Sequence, residues 1–174
     1  MALLILSSPA MAQRNTRDYP EKSEAMKKLE FLVGSWEGDG YVQFSPQKSP
    51  FKGTELVQKK IGGLAIMIEG IHKMTLPNGK ERVVHDALGW ITYDTKAKHY
   101  KFESHLSNGR SDSFTAKLVD EKTLRWEIPK TPLGKMRYTT KISDGKWHEI
   151  GEAAKEGEDW KPFFEMNLKK AKAK

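Results

Sequence analysis

Cysteine is absent from this 174-residue chain. Disulfide bonds, zinc ribbons, thiolate metal sites and cysteine nucleophiles are therefore excluded. Long apolar runs are absent as well, since no stretch approaches the ~18 apolar residues of a membrane-spanning helix. The chain also lacks the signature motifs of serine hydrolases, phosphate-binding loops and zinc peptidases. These absences leave a chain that must be held together by its core, and whose function must come from side chains outside the standard motifs.

The composition is that of one folded domain. Hydrophobic residues make up 37% of the chain, which argues against disorder despite 30% charged residues. The net charge is +7, and part of the excess lies in the lysine-rich segment 169–174. Elsewhere basic and acidic residues are interleaved and no arginine-rich stripe occurs. We therefore predict no nucleic-acid partner and at most a weak attraction to anionic surfaces.

The first twelve residues resemble the end of a secretory signal peptide. Residues 1–8 are mostly apolar, and Ala10-Met11-Ala12 has the small-x-small pattern of a cleavage site before Gln13. The pattern predicts a periplasmic or secreted protein; the alternative is a plain N-terminal tail. The predicted organisation is a signal peptide at 1–12, a linker at 13–22, a barrel domain at 23–170 and a basic tail at 171–174.

Turn signals recur through the rest of the chain with the rhythm of successive β-hairpins. They predict ten strands, at 36–44, 53–61, 64–74, 83–93, 98–106, 112–119, 123–129, 135–143, 146–154 and 160–169. One short helix, capped by Ser23, is predicted over 24–32. Ten hairpin-linked strands should close, because closure removes the exposed sheet edges. The predicted fold class is all-β: a single closed antiparallel up-and-down barrel with its first strand paired to its last.

Asn-Gly and Asp-Gly turns of two residues fix strand register. Such a turn at Asn78-Gly79 places His72 directly opposite His85, and Met74 opposite Val83. The face that carries the two histidines is otherwise apolar, so it is predicted to be the inner one. The opposite face is amphipathic rather than polar.

Two further hairpins give register. A two-residue turn at Asp144-Gly145 turns Glu149 inward and leaves Arg137 opposite Glu152 on the outside. A three-residue loop at 107–109 with a glycine bulge sets Phe102 against Phe114. Aromatic and methionine side chains then form the predicted inner wall, which comprises Tyr100, Phe102, Trp126, Met136, Tyr138 and Met166.

The start of the predicted barrel resembles the opening of lipocalin-like barrels. Residues 31–40 contain Gly34-x-Trp36, and in such barrels this motif closes the floor at the first strand. With Gly62-Gly63, a Gly-x-x-x-Tyr-Asp turn at 89–94 and the closing segment 163–168, the chain is most similar to an uncharacterised bacterial family of calycin-type domains. The resemblance implies a barrel that binds small molecules, with Trp36 as a structural plug.

The Gly-x-Trp-x-Gly opening is also similar to that of the nitrobindin family, whose ten-stranded barrels bind haem through a histidine near the C-terminus. No histidine follows His148 in this chain, and the last strand offers Glu165, Met166 and Asn167 instead. Haem binding in that manner is therefore disfavoured, and we predict no cofactor.

Three inward polar residues are the candidate chemistry. Cβ atoms of cross-strand partners such as His72 and His85 lie ~5 Å apart, so the pair could hold a divalent metal, pass a proton or bind a ligand head group. With no third ligand evident, we predict no metal site, and two neutral rim histidines are the alternative. Glu149 should have a raised pKa because it is buried; it is either functional or bound to Thr140 or Tyr138.

These observations predict an exported barrel that binds a small apolar or amphipathic molecule, with His72, His85 and Glu149 as polar anchors. A second hypothesis is a cofactor-free isomerase or hydrolase with His72 or Glu149 as general base. A third is a filled barrel that acts through its surface. An apolar pocket favours the first, and a cluster of inward groups with shifted pKa favours the second.

Overall fold

The computed structural model describes residues 19–171, which form a short helix followed by a ten-stranded antiparallel barrel. The helix α1 spans Pro20–Lys27, and short 3₁₀ turns follow at Glu30–Leu32 and, later, at Ile61–Gly63. The strands are β1 Gly34–Val42, β2 Ser49–Lys60, β3 Ala65–Thr75, β4 Glu81–Asp94, β5 His99–Leu106, β6 Ser111–Asp120, β7 Thr123–Thr131, β8 Gly134–Ser143, β9 Lys146–Ala154 and β10 Lys161–Lys170. The predicted fold class is confirmed.

Each strand pairs with its neighbours in sequence, and the barrel closes between β1 and β10. At this seam Trp36 lies opposite Lys170 and Val42 opposite Phe164. The predicted pairing of the first strand with the last is therefore confirmed, and the sheet has no free edge.

The predicted register of β8 and β9 is also confirmed. Asp144 and Gly145 have φ of 52° and 70°, the left-handed values that a type I′ turn requires. Arg137 consequently lies opposite Glu152 on the outer face. The guanidinium donates Nε to Oε2 at 2.7 Å and Nη2 to Oε1 at 3.1 Å. The predicted pairing of Phe102 with Phe114 in the β5–β6 hairpin is found as well.

The β3–β4 hairpin departs from its predicted turn. The backbone N–H of Leu76 donates to the carbonyl of Lys80, so the loop holds three residues instead of two. The reason is Pro77: a two-residue turn would need its backbone N–H in the closing pair, and proline has none. The longer loop puts Met74 opposite Arg82, so the predicted pairing with Val83 was wrong.

A β-bulge corrects this shift farther along the same hairpin. The register changes by one residue between His72 and Lys73, and His72 lies opposite His85 as predicted. The three-residue loop and the bulge thus cancel each other, because each adds one residue to the hairpin.

The N-terminal helix begins three residues before the predicted cap. Tyr19 precedes the helix, Pro20 occupies its first turn, and Ser23 lies inside it. Proline is favoured at the first helical position because its fixed φ suits the helix and no N–H is needed there. The helix also ends early, at Lys27; Lys28 and Leu29 form a turn, and Glu30–Leu32 form the first 3₁₀ turn.

The helix and Trp36 close one end of the barrel, which we call the floor. Ala25, Met26 and Leu29 belong to the same buried apolar cluster as Trp36. The Trp36 side chain is 1% exposed, and its indole N–H donates to the carbonyl of Leu32 at 2.9 Å. The opposite end, which we call the mouth, carries the loops at 43–48, 76–80, 107–110, 132–133 and 155–160.

The predicted signal peptide, most of the predicted linker and the last three residues of the basic tail lie outside the described residues. Within residues 19–171, no helix has the length and apolar character needed to cross a membrane.

Candidate functional site

A continuous series of aromatic rings crosses the barrel interior. The Trp126 ring stacks on Tyr138 with centroids 5.4 Å apart and meets Phe102 edge-on at 5.1 Å. The Tyr138 ring in turn contacts the edges of Phe163 and Phe164, at 5.7 and 5.8 Å. Side chains from β5, β7, β8 and β10 therefore meet inside the barrel and form one apolar wall.

Glycines on neighbouring strands make room for these rings. A Cβ atom added to Gly89 would lie 2.7 Å from Cε2 of Phe102, and one added to Gly151 would lie 2.8 Å from Cε1 of Tyr138. Both distances are shorter than any real contact of this kind, so the rings lie across the bare backbone. Glycine at these inner positions is thus what lets large rings share a narrow barrel.

The aromatic wall is sealed toward the floor and open toward the mouth. Ile91, Tyr100 and Leu124, which face inward near the floor, are buried. By contrast one side of the interior is only partly buried farther toward the mouth, where β4–β8 contribute the inward-facing His85, Phe102, Ser104, Phe114, Trp126, Ile128 and Tyr138. The facing side chains Phe51, His72, Phe163 and Phe164 are buried. Because the partly buried residues face the inside of a closed barrel, their exposure shows that the interior is open to solvent at the mouth.

His72 and His85 are neighbours as predicted, but as a stack. Their ring centroids lie 4.6 Å apart with an interplanar angle of 27°, and Phe51 stacks on the other side of His72 at 4.4 Å. In stacked imidazoles the nitrogen lone pairs and N–H bonds lie in the two roughly parallel ring planes. The nitrogens of the two rings therefore do not converge on a common point. Among the described residues, no group of three potential metal ligands comes together.

His72 instead has a carboxyl partner, Glu55, on β2. Their side chains lie 3.3 Å apart, Nε2 to Oε1, and both are buried. Burial raises the pKa of Glu55 to about 8 and lowers the pKa of His72 to about 4. The short distance alone would suit an ion pair, but desolvation penalises both charges. We therefore describe the pair at neutral pH as a protonated carboxyl group bonded to a neutral imidazole.

Glu149 is the second buried carboxyl group. Its Oε2 accepts hydrogen bonds from the Thr140 hydroxyl at 2.8 Å and from the Trp147 indole N–H at 3.1 Å. Burial, and to a lesser degree the nearby Glu55 carboxyl, raises the pKa of Glu149 to about 7. Two buried acids therefore share the lower interior, and their ionisation is mutually unfavourable.

The predicted site residues divide into two groups. Phe102, Trp126, Tyr138 and His85 line the part that opens to the mouth, whereas Met136 is buried beside them. The others are sealed inside: Tyr100, Met166, Glu149 and His72. Tyr100 has a structural contact, since its hydroxyl donates to the carbonyl of Ala25 at 2.8 Å and so ties α1 to the barrel.

Sequence reasoning missed Glu55, Phe51 and Phe163. The first two lie on β2, where residues 51, 53, 55 and 57 face inward in alternation. The Gly62-Gly63 break between β2 and β3 is not a two-residue turn, so the sequence did not fix the register of this strand pair. The alternation of Phe51 with Gly53 and Val57 was the available signal. Phe163 turns inward beside Phe164 because of a bulge after Pro162, which cannot donate to the ladder.

Comparison with known proteins supports the fold. The crystal structure of Rv2717c from M. tuberculosis aligns with a TM-score of 0.60 and 12% sequence identity, over 85% of this chain and 98% of that chain. No protein-family model matches the sequence, and no curated protein is significantly similar to it. Identity this low transfers the architecture but no residue roles. The chain therefore has a lipocalin-like barrel fold, which is compatible with holding a small ligand.

Proposed function

We propose that this protein binds a small apolar or amphipathic molecule at the mouth of its barrel. The observation that carries the proposal is the partial exposure of inward-facing aromatic rings, chiefly Phe102, Trp126 and Tyr138. An apolar molecule on this wall would exclude water from rings that folding has left accessible, at about 25 cal/mol per Å² of apolar area. The half-buried imidazole of His85 supplies a polar group beside the wall for a ligand head group.

The site is shallow, because the lower half of the barrel is filled. Trp36, Ile91 and Leu124, which face inward near the floor, are each no more than 1% exposed. The ligand therefore lies against the aromatic wall from the mouth side and does not reach Glu149.

Ser104 offers a direct test, because its side chain is small, half-buried and on the inner face of β5. Ser104→Trp should fill the mouth and weaken binding of N-phenyl-1-naphthylamine, a neutral apolar dye, by about tenfold. Dye fluorescence during titration gives the affinity. Ser113→Trp places the same bulk on the exposed outer face of neighbouring β6 and should leave the affinity unchanged. Equal effects of the two substitutions would refute binding inside the mouth.

A second candidate function is acid–base catalysis, and the buried polar cluster favours it. Glu55, His72 and Glu149 combine strong burial with shifted pKa values, a combination that occurs often at active sites. Glu149 is the best general base of the three, because a pKa of about 7 suits proton transfer at neutral pH. A screen of chromogenic esters and enolisable ketones tests this candidate: turnover that Glu149→Gln abolishes would support it, and turnover that survives would reject it.

We also propose that the protein is exported to the periplasm or secreted, on the basis of the apolar segment and the Ala10-Met11-Ala12 pattern. The test is the mass of the protein recovered from its own host. Cleavage predicts a chain that begins at Gln13 in the extracytoplasmic fraction, and an intact N-terminus in the cytoplasmic fraction would reject it.

A further inference from the structure

A groove of about 230 Å³ lies at the floor end of the barrel, between α1, the β4–β5 turn and β6. We call it the floor groove. It is separate from the mouth, since the sealed residues of the lower barrel lie between the two. Its base is apolar and aromatic, with Tyr93, Tyr100 and Leu118, and the Tyr100–Ala25 hydrogen bond fixes the helix against it.

Three different elements contribute basic residues to the lining of the floor groove. Lys28 follows α1, Lys98 and His99 belong to the β4–β5 hairpin, and Lys117 lies on β6. Among residues 19–171, no acidic residue lines the groove. The arrangement combines positive charge with an apolar base, which is the complement of an amphipathic anion.

Nearby acids offset only part of this positive charge. Glu21 pairs with Lys98. The Asp94 carboxylate is held in its own turn, where Oδ1 accepts from the backbone N–H groups of Lys96 and Ala97 at 2.9 Å each, and its charge acts on His99. Lys28 and Lys117 form no ion pair with any residue between 19 and 171. Two ammonium groups are therefore available to a bound anion.

We propose that the floor groove is a second binding site, which takes a phosphate group attached to a small ring or apolar chain. Lys28 and Lys117 bind the phosphate, and the attached apolar group lies against Tyr93 and Leu118. The volume suits a small molecule or the head group of a larger one, as it is below the usual range for drug-sized ligands of about 300–1,000 Å³. The same chemistry is present in a soluble phosphate ester and in an anionic phospholipid.

The test uses phenyl phosphate in a titration followed by ¹H–¹⁵N NMR at low salt, where screening of surface charges is weakest. We expect shifts at residues of the floor groove and a dissociation constant of about 1 mM, with weaker binding of inorganic phosphate, which lacks the ring. Lys28→Ala with Lys117→Ala should weaken binding of phenyl phosphate by about tenfold. The control pair, Lys52→Ala with Lys135→Ala, removes the same charge from exposed positions elsewhere and should change it less than about twofold.

A second arm measures co-sedimentation with phosphatidylglycerol vesicles, with phosphatidylcholine vesicles as blank. If the Lys28/Lys117 variant loses more binding than the control variant to vesicles but not to phenyl phosphate, the ligand is a lipid head group. If it loses more binding than the control to phenyl phosphate but not to vesicles, the ligand is a soluble ester. Absence of binding in both arms, equal losses in the two double variants, or equal affinities for phosphate and phenyl phosphate would overturn the proposal.

Discussion

Trp36→Ala is expected to lower the free energy of unfolding by about 3–5 kcal/mol, the range for removing a large aromatic side chain from a core. The indole is 1% exposed, meets Trp147 edge-on at 5.7 Å and bonds the carbonyl of Leu32. Its loss leaves a cavity where the helix, β1 and β9 meet, and it leaves that carbonyl without its partner. Urea unfolding followed by far-ultraviolet circular dichroism measures the effect.

Trp90→Ala is the matched control for this prediction. Trp90 lies on the outer face of β4, opposite Met67, and is half-buried. Its removal should lower the free energy of unfolding by about 1 kcal/mol, because little packing is lost and solvent fills the space. A loss at Trp36 no larger than that at Trp90 would contradict the role of Trp36 as the plug of the floor.

Glu55→Gln is expected to stabilise the protein at pH 8, which is an unusual result for a buried hydrogen-bonded residue. The pKa of Glu55 is raised from 4.5 to about 8 by burial, so the folded state holds a proton that the unfolded state releases. Its contribution to stability is fully present below pH 4.5 and is lost as the pH rises toward 8. Glutamine cannot ionise, and its amide N–H can still donate to Nε2 of His72.

The difference in free energy of unfolding between the variant and the wild type should therefore shift in favour of the variant by on the order of 3 kcal/mol between pH 5 and pH 8. Denaturant unfolding at several pH values gives a curve of unfolding free energy against pH for each protein. Subtracting the wild-type curve from the variant curve removes much of the contribution of His72, which depends on pH in the opposite direction. Burial lowers the pKa of His72 to about 4, so its contribution is lost as the pH falls from 6.5 toward 4.

Glu37→Gln serves as the control, since Glu37 is exposed on β1 and the substitution is the same. It should change stability by less than about 0.5 kcal/mol across this range. If Glu55→Gln instead destabilises the protein at pH 8, Glu55 and His72 form an ion pair and the neutral description is wrong.

The barrel could be predicted because its turns are encoded locally. Asp144-Gly145 specifies a type I′ turn, and that turn alone places Glu149 inside and Arg137 outside. Where the turn is less simple, sequence reasoning succeeded only in part. His72 and His85 are opposite each other because a three-residue loop, caused by Pro77, and a bulge offset one another.

The candidate site was harder to predict than the fold. Glu55 lies on a strand that is bordered by irregular loops, so no turn fixed its register, although it is the partner of His72. The need for space at Gly70, where a Cβ would lie 2.8 Å from the Glu55 carboxylate, depends on contacts between strands and appears only in three dimensions. The openness of the mouth likewise depends on how far rings from several strands fill the interior.

The five tryptophans allow one measurement to test the binding proposal directly. Trp126 lies in the aromatic wall, Trp36 and Trp147 are buried at the floor, Trp90 is on the outer wall, and Trp160 packs against Arg137. Each gives its own indole N–H signal in an NMR spectrum. On titration with 2-naphthol, a flat amphipathic probe, the signal of Trp126 should shift most, while the signals of the floor and outer tryptophans stay nearly fixed. A largest shift at Trp90 or Trp160, or no shift at Trp126 at saturation, would contradict a ligand site in the mouth of the barrel.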